Sequence, residues 1–173
     1  MTDLKAHIRD VPDFPKPGIV FKDITPLLAD AAAFKATIDS FVTRYRGEVD
    51  AVLGIESRGF IIGAAVAYGL GTGVAIVRKP GKLPYKTYAA SYALEYGTDT
   101  LHIHQDAIDG GRRVLLIDDL LATGGTASAA VQLVEQCGGE VVACAFVIEL
   151  GFLNGRARLG GHEVFSLIRY DRP

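Results

Sequence analysis

Short apolar runs alternate with amphipathic segments along most of the chain. Continuous apolar runs predict buried strands, and apolar residues that recur every three or four positions predict helices. We expect helices at 3–9, 30–46, 59–68, 125–137 and 152–159, and strands at 49–55, 73–77, 114–118, 140–148 and 163–168. Strands that alternate with helices favour an α/β fold, in which a mainly parallel, twisted sheet is flanked by helices.

Three segments depart from this alternation. Residues 13–26 are interrupted by prolines and predict a loop with a short extended piece, and residues 79–88 predict a mobile loop. Residues 89–104 predict two extended segments with a turn at Gly97. Because residues 85–100 are rich in Tyr, Ala, Ser and Gly, we expect this part to form a hairpin-like lid rather than core.

Composition narrows the class of protein. The chain has 173 residues, of which 49% are hydrophobic and 22% are charged, as expected for one globular domain. A formal net charge of −2, without a long run of one sign, argues against a nucleic-acid partner. The start of the sequence lacks the apolar region of a signal peptide, and no run approaches the ~18 apolar residues of a membrane span. The two cysteines, Cys137 and Cys144, are too few for a disulfide framework and indicate the cytoplasm.

The most informative motif is the run VLLIDDLLATGGT, residues 114–126. It predicts a strand that ends at the carboxylates Asp118 and Asp119, followed by a Gly-rich turn and a helix. Unpaired N–H groups and the helix dipole attract anions to a helix N-terminus, and Gly124 and Gly125 allow close approach. Carboxylates are acceptors only, which suits sugar hydroxyls or a metal. The motif therefore predicts a phosphosugar site, although the Mg²⁺ site of another α/β enzyme or a loop with capping acids would fit it too.

Two further loops follow predicted strands and carry charge. The segment GIESRGF (54–60) contains Ser57 and Arg58, and VRKPGKLP (77–84) contains Arg78, Lys79 and Lys82. Ligands of parallel sheets bind at the carboxyl ends of the strands, so both loops should meet the Gly-rich turn at one edge of the sheet. Cations there suit a diphosphate, whereas a solvated surface loop is the alternative.

Three of these segments resemble a known family, the type I phosphoribosyltransferases. The run VLLIDDLLATGGTA resembles the signature with which that family binds phosphoribosyl diphosphate (PRPP), FPKPGIVFKDITPLL (14–28) resembles the N-terminal signature of its adenine-using branch, and LEYG (94–97) resembles the lid motif of that branch. The resemblance implies that Asp118 and Asp119 bind the ribose hydroxyls. It implies that the 5′-phosphate is held by Ala122, Thr123, Gly124, Gly125 and Thr126.

The same resemblance implies roles for three further groups of residues. Diphosphate contacts would come from Ser57, Arg58, Arg78, Lys79 and Lys82. Adenine would be bound by Val20, Phe21 and Lys22, with the ring of Phe21 stacked on the base and Val20 providing backbone contacts. Glu95 would transfer a proton to or from the base.

The resemblance also implies an activity. A member of this branch would convert adenine and PRPP to AMP and diphosphate in purine salvage, with Mg²⁺ bound mainly through PRPP rather than by protein ligands. It would form a homodimer of single domains, each with an N-terminal hood (about 1–30), a core (31–173) and a lid (80–100). Another base, such as hypoxanthine, guanine or xanthine, is an alternative, as is a regulator that senses PRPP or nucleotides without catalysis.

Overall fold

The computed structural model describes residues 3–94 and 97–173. Their strands and α-helices follow one another along the chain as β1 (Arg9–Pro12), β2 (Val20–Asp23), α1 (Thr25–Ala29), α2 (Ala31–Tyr45), β3 (Ala51–Ile55), α3 (Arg58–Leu70), β4 (Gly73–Val77), β5 (Thr87–Leu94), β6 (Gly97–His104), β7 (Arg113–Leu121), α4 (Gly125–Gln136), β8 (Glu140–Leu150) and β9 (Glu163–Tyr170). None of the helices among these residues is long and apolar enough to cross a membrane.

A five-stranded sheet forms the centre of the molecule, in the order β4-β3-β7-β8-β9. All neighbouring strands in it are parallel. Helices α2 and α3 cover one face, and α4 covers the other together with the β5–β6 hairpin. The predicted α/β fold, a mainly parallel sheet flanked by helices, is therefore confirmed.

The buried strands pack on both faces, as their uninterrupted apolar sequences require. In β7, Leu115 lies in the layer with α2 and α3, and its neighbour Leu116 lies in the layer with α4. This separation follows from the alternation of side chains along a strand. Phe41 of α2 and Leu133 of α4 are completely buried in these two layers.

The β5–β6 hairpin differs from the expected lid in one respect. Its strands pair antiparallel from Thr87 with His104 to Leu94 with Gly97, so the two extended segments are confirmed. However, Ala90, Leu101 and Ile103 are buried in the core layer beside α4. Within the expected range of 85–100, the expectation of no core residue was wrong at Ala90, because alternate burial along a short strand is not visible in an average composition. The role of the segment as a lid stays a prediction.

The N-terminal segment is more regular than expected. β2 is the predicted short extended piece, but its antiparallel partner β1 and the helix α1 were not predicted. The helix expected at 3–9 is only a 3₁₀ turn, Leu4–His7. Helix α1 begins after Asp23, whose carboxylate accepts hydrogen bonds from the Thr25 amide at 2.9 Å and its hydroxyl at 2.8 Å.

Two other boundaries differ near the Gly-rich turn. β7 continues three residues beyond Asp118, because β8 runs alongside it and pairs Leu121 with Glu149. The helix expected at 152–159 is instead a pair of 3₁₀ turns, Gly151–Leu153 and Gly155–Leu159. They are separated by Asn154, whose φ of 52° is left-handed and incompatible with a continuous helix.

Candidate active site

A cavity of about 240 Å³ opens at the carboxyl ends of β3, β4 and β7. Residues 118–127 form much of its wall, and Glu56, Arg58, Lys79 and Tyr92 contribute side chains. The three charged or Gly-rich loops therefore meet at one edge of the sheet, as the parallel topology predicts.

The Gly-rich turn connects β7 to the N-terminus of α4. Gly124 stands at the N-cap of α4 with a φ of 81°, a left-handed conformation that favours glycine. Gly124 has no side chain to cap the helix, and the first helical residues, Gly125 to Ala127, line the cavity. The N-terminus of α4, which carries a positive partial charge, therefore lines the cavity, and this arrangement suits an anion.

Gly124 also packs closely against a second segment of the chain, at Gly155. A Cβ at Gly124 would lie 2.4 Å from the carbonyl oxygen of Gly155, and a Cβ at Gly155 would lie 2.2 Å from the carbonyl oxygen of Ala122. Distances this short are not tolerated between real atoms. Sequence reasoning missed the contact between the turn Gly155–Leu159 and this loop, since only tertiary packing brings the two together.

Asp118 and Asp119 lie within β7 rather than at its end, because the strand continues to Leu121. Asp119 is 6% exposed and accepts a hydrogen bond from Nε of Arg58 at 2.5 Å. Oδ1 of Asp118 accepts a hydrogen bond from the Asp119 amide at 2.9 Å. Burial and the neighbouring Asp119 carboxylate raise the pKa of Asp118 well above its ordinary value.

The connection between β3 and α3 brings two charged side chains to the cavity, Glu56 and Arg58. Its Glu56–Ser57 peptide is cis. Glu56 accepts hydrogen bonds from Nη2 of Arg78 at 3.0 Å and from the Lys79 amide at 2.7 Å. Burial opposes ionisation of Glu56, but these hydrogen bonds lower its pKa below the ordinary value. Ser57, at the N-cap of α3, does not line the cavity.

Of the three cations predicted at 78–82, only Lys79 lines the cavity. Its ammonium forms an ion pair with Asp99 and a hydrogen bond of 3.1 Å with Oη of Tyr92. Arg78 points to Glu56, and Lys82 is exposed outside the cavity. Tyr92 and Asp99 were not singled out from the sequence, where only the tyrosine-rich composition of the segment indicated a link to the site.

The expected adenine-binding residues divide between the two faces of β2. The guanidinium of Arg58 lies 5.5 Å from the ring centroid of Phe21, so Phe21 is next to the cavity. Lys22 is buried on the opposite face, 2.9 Å from Asp10 and 4.4 Å from the ring centroid of Tyr170. Adjacent strand residues point in opposite directions, so the structure does not bring the Lys22 ammonium beside Phe21. Val20 is exposed, and Glu95 lies outside the described residues.

The site therefore combines a helix N-terminus suited to an anion, a pair of carboxylates, two cations and an aromatic ring. Residues 22–159 match the phosphoribosyl transferase domain family. The chain belongs to this family. Within the family it groups with the adenine phosphoribosyltransferases, which the following comparisons show.

An adenine phosphoribosyltransferase from Syntrophotalea carbinolica is 60% identical over 171 residues, which cover 98% of this chain and 100% of the relative. The crystal structure of an adenine phosphoribosyltransferase from Thermoanaerobacter pseudethanolicus has a TM-score of 0.94 at 51% identity, covering 97% of this chain and 98% of the other. That from Saccharomyces cerevisiae, complexed with adenine and an imino-altritol bisphosphate, has a TM-score of 0.91 at 40% identity, with 95% and 96% covered.

Proposed function

We propose that the protein transfers the phosphoribosyl group of PRPP to adenine, giving AMP and diphosphate in purine salvage. One observation carries this proposal. A single cavity joins an anion-binding helix terminus, two carboxylates and the cations Arg58 and Lys79. These match in kind the three parts of PRPP, namely its 5′-phosphate, its ribose hydroxyls and its diphosphate.

The 5′-phosphate is bound by residues 122–126 in this proposal. The first-turn amides of α4 donate to the phosphate oxygens, and the hydroxyls of Thr123 and Thr126 add further donors. Asp118 and Asp119 accept hydrogen bonds from the ribose hydroxyls. They act as acceptors and not as nucleophiles.

The diphosphate is bound by the cations of the other two loops. Arg58 and Lys79 line the cavity, while Ser57, Arg78 and Lys82 lie in the same loops. Lys79 exchanges its ion pair with Asp99 for one with the diphosphate. Positive charge there stabilises the negative charge that develops as the diphosphate leaves.

Mg²⁺ would be held mainly through PRPP rather than by a set of protein ligands. Among the carboxylates that line the cavity, Glu56 is already bound by Arg78 and Asp119 by Arg58, which leaves Asp118 as the carboxylate without a cationic partner. One carboxylate is a weak site for an ion that prefers six oxygens, so phosphate and water oxygens must complete the coordination. The ion neutralises charge on the diphosphate when it is bound.

Adenine stacks on Phe21 and is read by backbone groups near Val20. Stacking of a base on an aromatic ring contributes about 1–3 kcal/mol. Lys22 contributes indirectly, because its ion pair with Asp10 joins β2 to β1 behind the base. Glu95 accepts or relays the proton that adenine loses, and the segment 80–100 shields the reaction from water as a lid.

We also propose that the protein is a cytoplasmic homodimer. On α3, Ile61 is 49% and Tyr68 is 91% exposed, and they share a face seven residues apart. On the edge strand β4, Val74 is exposed and pairs in register with Val52, which lies in the layer of α3, and Ile76 is exposed on the same face two residues further on. A second copy would cover this apolar patch. The free thiols Cys137 and Cys144 suit a reducing compartment.

An assay with radiolabelled adenine, PRPP and Mg²⁺ tests the proposal. We expect AMP and diphosphate in equal amounts, and no product when PRPP is omitted. Competition with hypoxanthine, guanine and xanthine tests the choice of base. Faster turnover of one of these bases would contradict the adenine assignment, and nucleotide binding without turnover would favour a regulator.

A further inference from the structure

The proposed phosphate loop, residues 122–126, interlocks with the 3₁₀ turn Gly155–Leu159. In addition to the contact with Ala122, a Cβ at Gly155 would lie 3.1 Å from the amide nitrogen of Gly124. A Cβ at Gly124 would also lie 3.2 Å from Cβ of Arg158. The two backbones therefore touch without intervening side chains, and a movement of the turn must move the loop.

Arg156 attaches this turn to the sheet. Its Nε and Nη2 donate to the two carboxylate oxygens of Glu149, each at 2.6 Å, and its Nη1 donates to the Val164 carbonyl at 2.7 Å. A bidentate pair between a guanidinium and a carboxylate fixes direction as well as distance. The buried side chain of Leu159 anchors the other end of the turn.

Glu149 lies beside the residue at which the phosphate loop begins. It is 2% exposed in β8, and it pairs in register with Leu121, the last residue of β7 before the loop. Its carboxylate also accepts hydrogen bonds from Oγ of Ser166 at 2.6 Å and from Nη1 of Arg169 at 3.0 Å. The buried carboxylate of Glu149 thus lies beside the start of the loop. It also binds Arg156 of the turn that packs on this loop.

We propose that Glu149 and Arg156 are positioning residues for the 5′-phosphate. They hold Gly155 against Ala122 and Gly124 and so set the direction of the loop amides. Neither side chain lines the cavity, so both act through the loop. This inference rests on the proposed function. Small displacements of binding groups are costly, since a misplacement of about 1 Å can reduce a rate about a hundredfold.

The variant Arg156→Lys tests the inference with little risk to folding. The variant keeps a positive charge beside Glu149. An ammonium, however, cannot replace the guanidinium that donates to both carboxylate oxygens of Glu149 and to the Val164 carbonyl at once. We expect the KM for PRPP to rise about tenfold, with the KM for adenine and kcat within about twofold. Arg169→Lys is the matched control, because Arg169 contacts the same carboxylate from β9, and it should leave all three constants unchanged.

Binding measurements distinguish a role in positioning the phosphate loop from a general loss of structure. By calorimetry, Arg156→Lys should weaken ribose 5-phosphate about tenfold and leave diphosphate with Mg²⁺ unchanged. Gly155→Ala, which forces a Cβ onto Ala122, should show the same contrast. Equal weakening of both ligands, or no weakening, would overturn the inference. A wild-type protein that binds ribose 5-phosphate but forms no AMP would contradict only the proposed function.

Discussion

At the scale of single residues, the site contains one unfavourable ionisation. Asp118 and Asp119 are adjacent acids in a largely buried strand, and only Asp119 has a cationic partner, Arg58, in the part of the chain that the structure describes. The raised pKa of Asp118 means that its charged form is less stable in the folded protein than in the unfolded chain. An acid kept there at a cost in stability is expected to serve binding.

Asp118→Asn should therefore stabilise the free protein while it impairs PRPP binding. The pKa of Asp118 in the folded protein lies above its ordinary value, so the free-energy penalty begins as pH rises past the ordinary pKa and is complete above the folded pKa. Thermal unfolding should show a higher Tm than the wild type at pH 8, by roughly 2–4 °C for each 1 kcal/mol of penalty removed. This gain should shrink as the pH falls toward the ordinary pKa of an aspartic acid. A Tm that is lower at pH 8 would contradict this explanation.

Asp50→Asn is the matched control for that variant. Hydrogen bonds from Arg113 lower the pKa of Asp50 to about 2, so its charge stabilises the fold above the ordinary pKa. This stabilisation disappears as pH falls from the ordinary pKa through the lowered one. The control should therefore have a lower Tm than the wild type at pH 8, the opposite of Asp118→Asn.

Phe21 provides a second prediction at the same scale. If its ring stacks on adenine, Phe21→Ala should raise the KM for adenine roughly five- to a hundredfold, since stacking contributes about 1–3 kcal/mol. The KM for PRPP should change little in steady-state assays. Phe14, which meets Phe21 edge-on at 5.3 Å between centroids, is the control position. A larger effect of Phe14→Ala than of Phe21→Ala would assign the stacking role to Phe14.

At the scale of elements, the β5–β6 hairpin connects the core to the site. Ala90, Leu101 and Ile103 anchor it in the core layer beside α4. Tyr92 and Asp99, one on each strand, both contact the ammonium of Lys79. The hairpin therefore holds a cation of the neighbouring loop.

Asp99→Asn should release Lys79 for the diphosphate. The Asp99 carboxylate competes with that ligand for one ammonium, so calorimetry should show diphosphate binding about two- to fivefold more tightly, a small effect because both groups are partly exposed. Asp39→Asn is the control, since Asp39 pairs with Lys35 on the surface of α2. Weaker binding by Asp99→Asn would show instead that Asp99 orients Lys79 for its ligand.

At the scale of the whole molecule, one side of the sheet is less completely covered than the other. The edge strand β4 and the outer face of α3 expose Val74, Ile76, Ile61 and Tyr68. Apolar residues scattered singly on a surface need no explanation, but several of them on neighbouring elements such as α3 and β4 are typical of an interface. In the proposed dimer the patch adjoins the loops that follow β3 and β4, so assembly and site would share these elements.

Tyr68→Glu tests this assembly. A charge in the proposed interface would have to be buried without a partner, so sedimentation should show a monomer at concentrations at which the wild type is a dimer. Ile19→Glu is the control, because Ile19 is 44% exposed in the N-terminal segment outside the patch. An unchanged dimer for Tyr68→Glu would place the interface elsewhere.

Local pattern was sufficient for the main elements and for the outline of the site. Periodicity depends on neighbours within a few residues, which is why the parallel sheet, its helices and the strand–turn–helix of residues 114–126 were predictable. Parallel topology then placed the loops after β3, β4 and β7 at one edge. Residue types alone suggested the roles proposed for Asp118, Asp119 and the Gly-rich turn, and these roles stay predictions.

Tertiary packing determined the contacts that the sequence pattern could not predict. Gly155 contacts Ala122, Arg156 contacts Glu149 and Lys79 contacts Asp99 across separations of 7 to 33 residues, the longest between Gly155 and Ala122. The same packing turned Lys22 toward Asp10 and Tyr170 and buried one face of the β5–β6 hairpin. Such contacts depend on which elements meet in space, and a sequence records only which residues are neighbours along the chain.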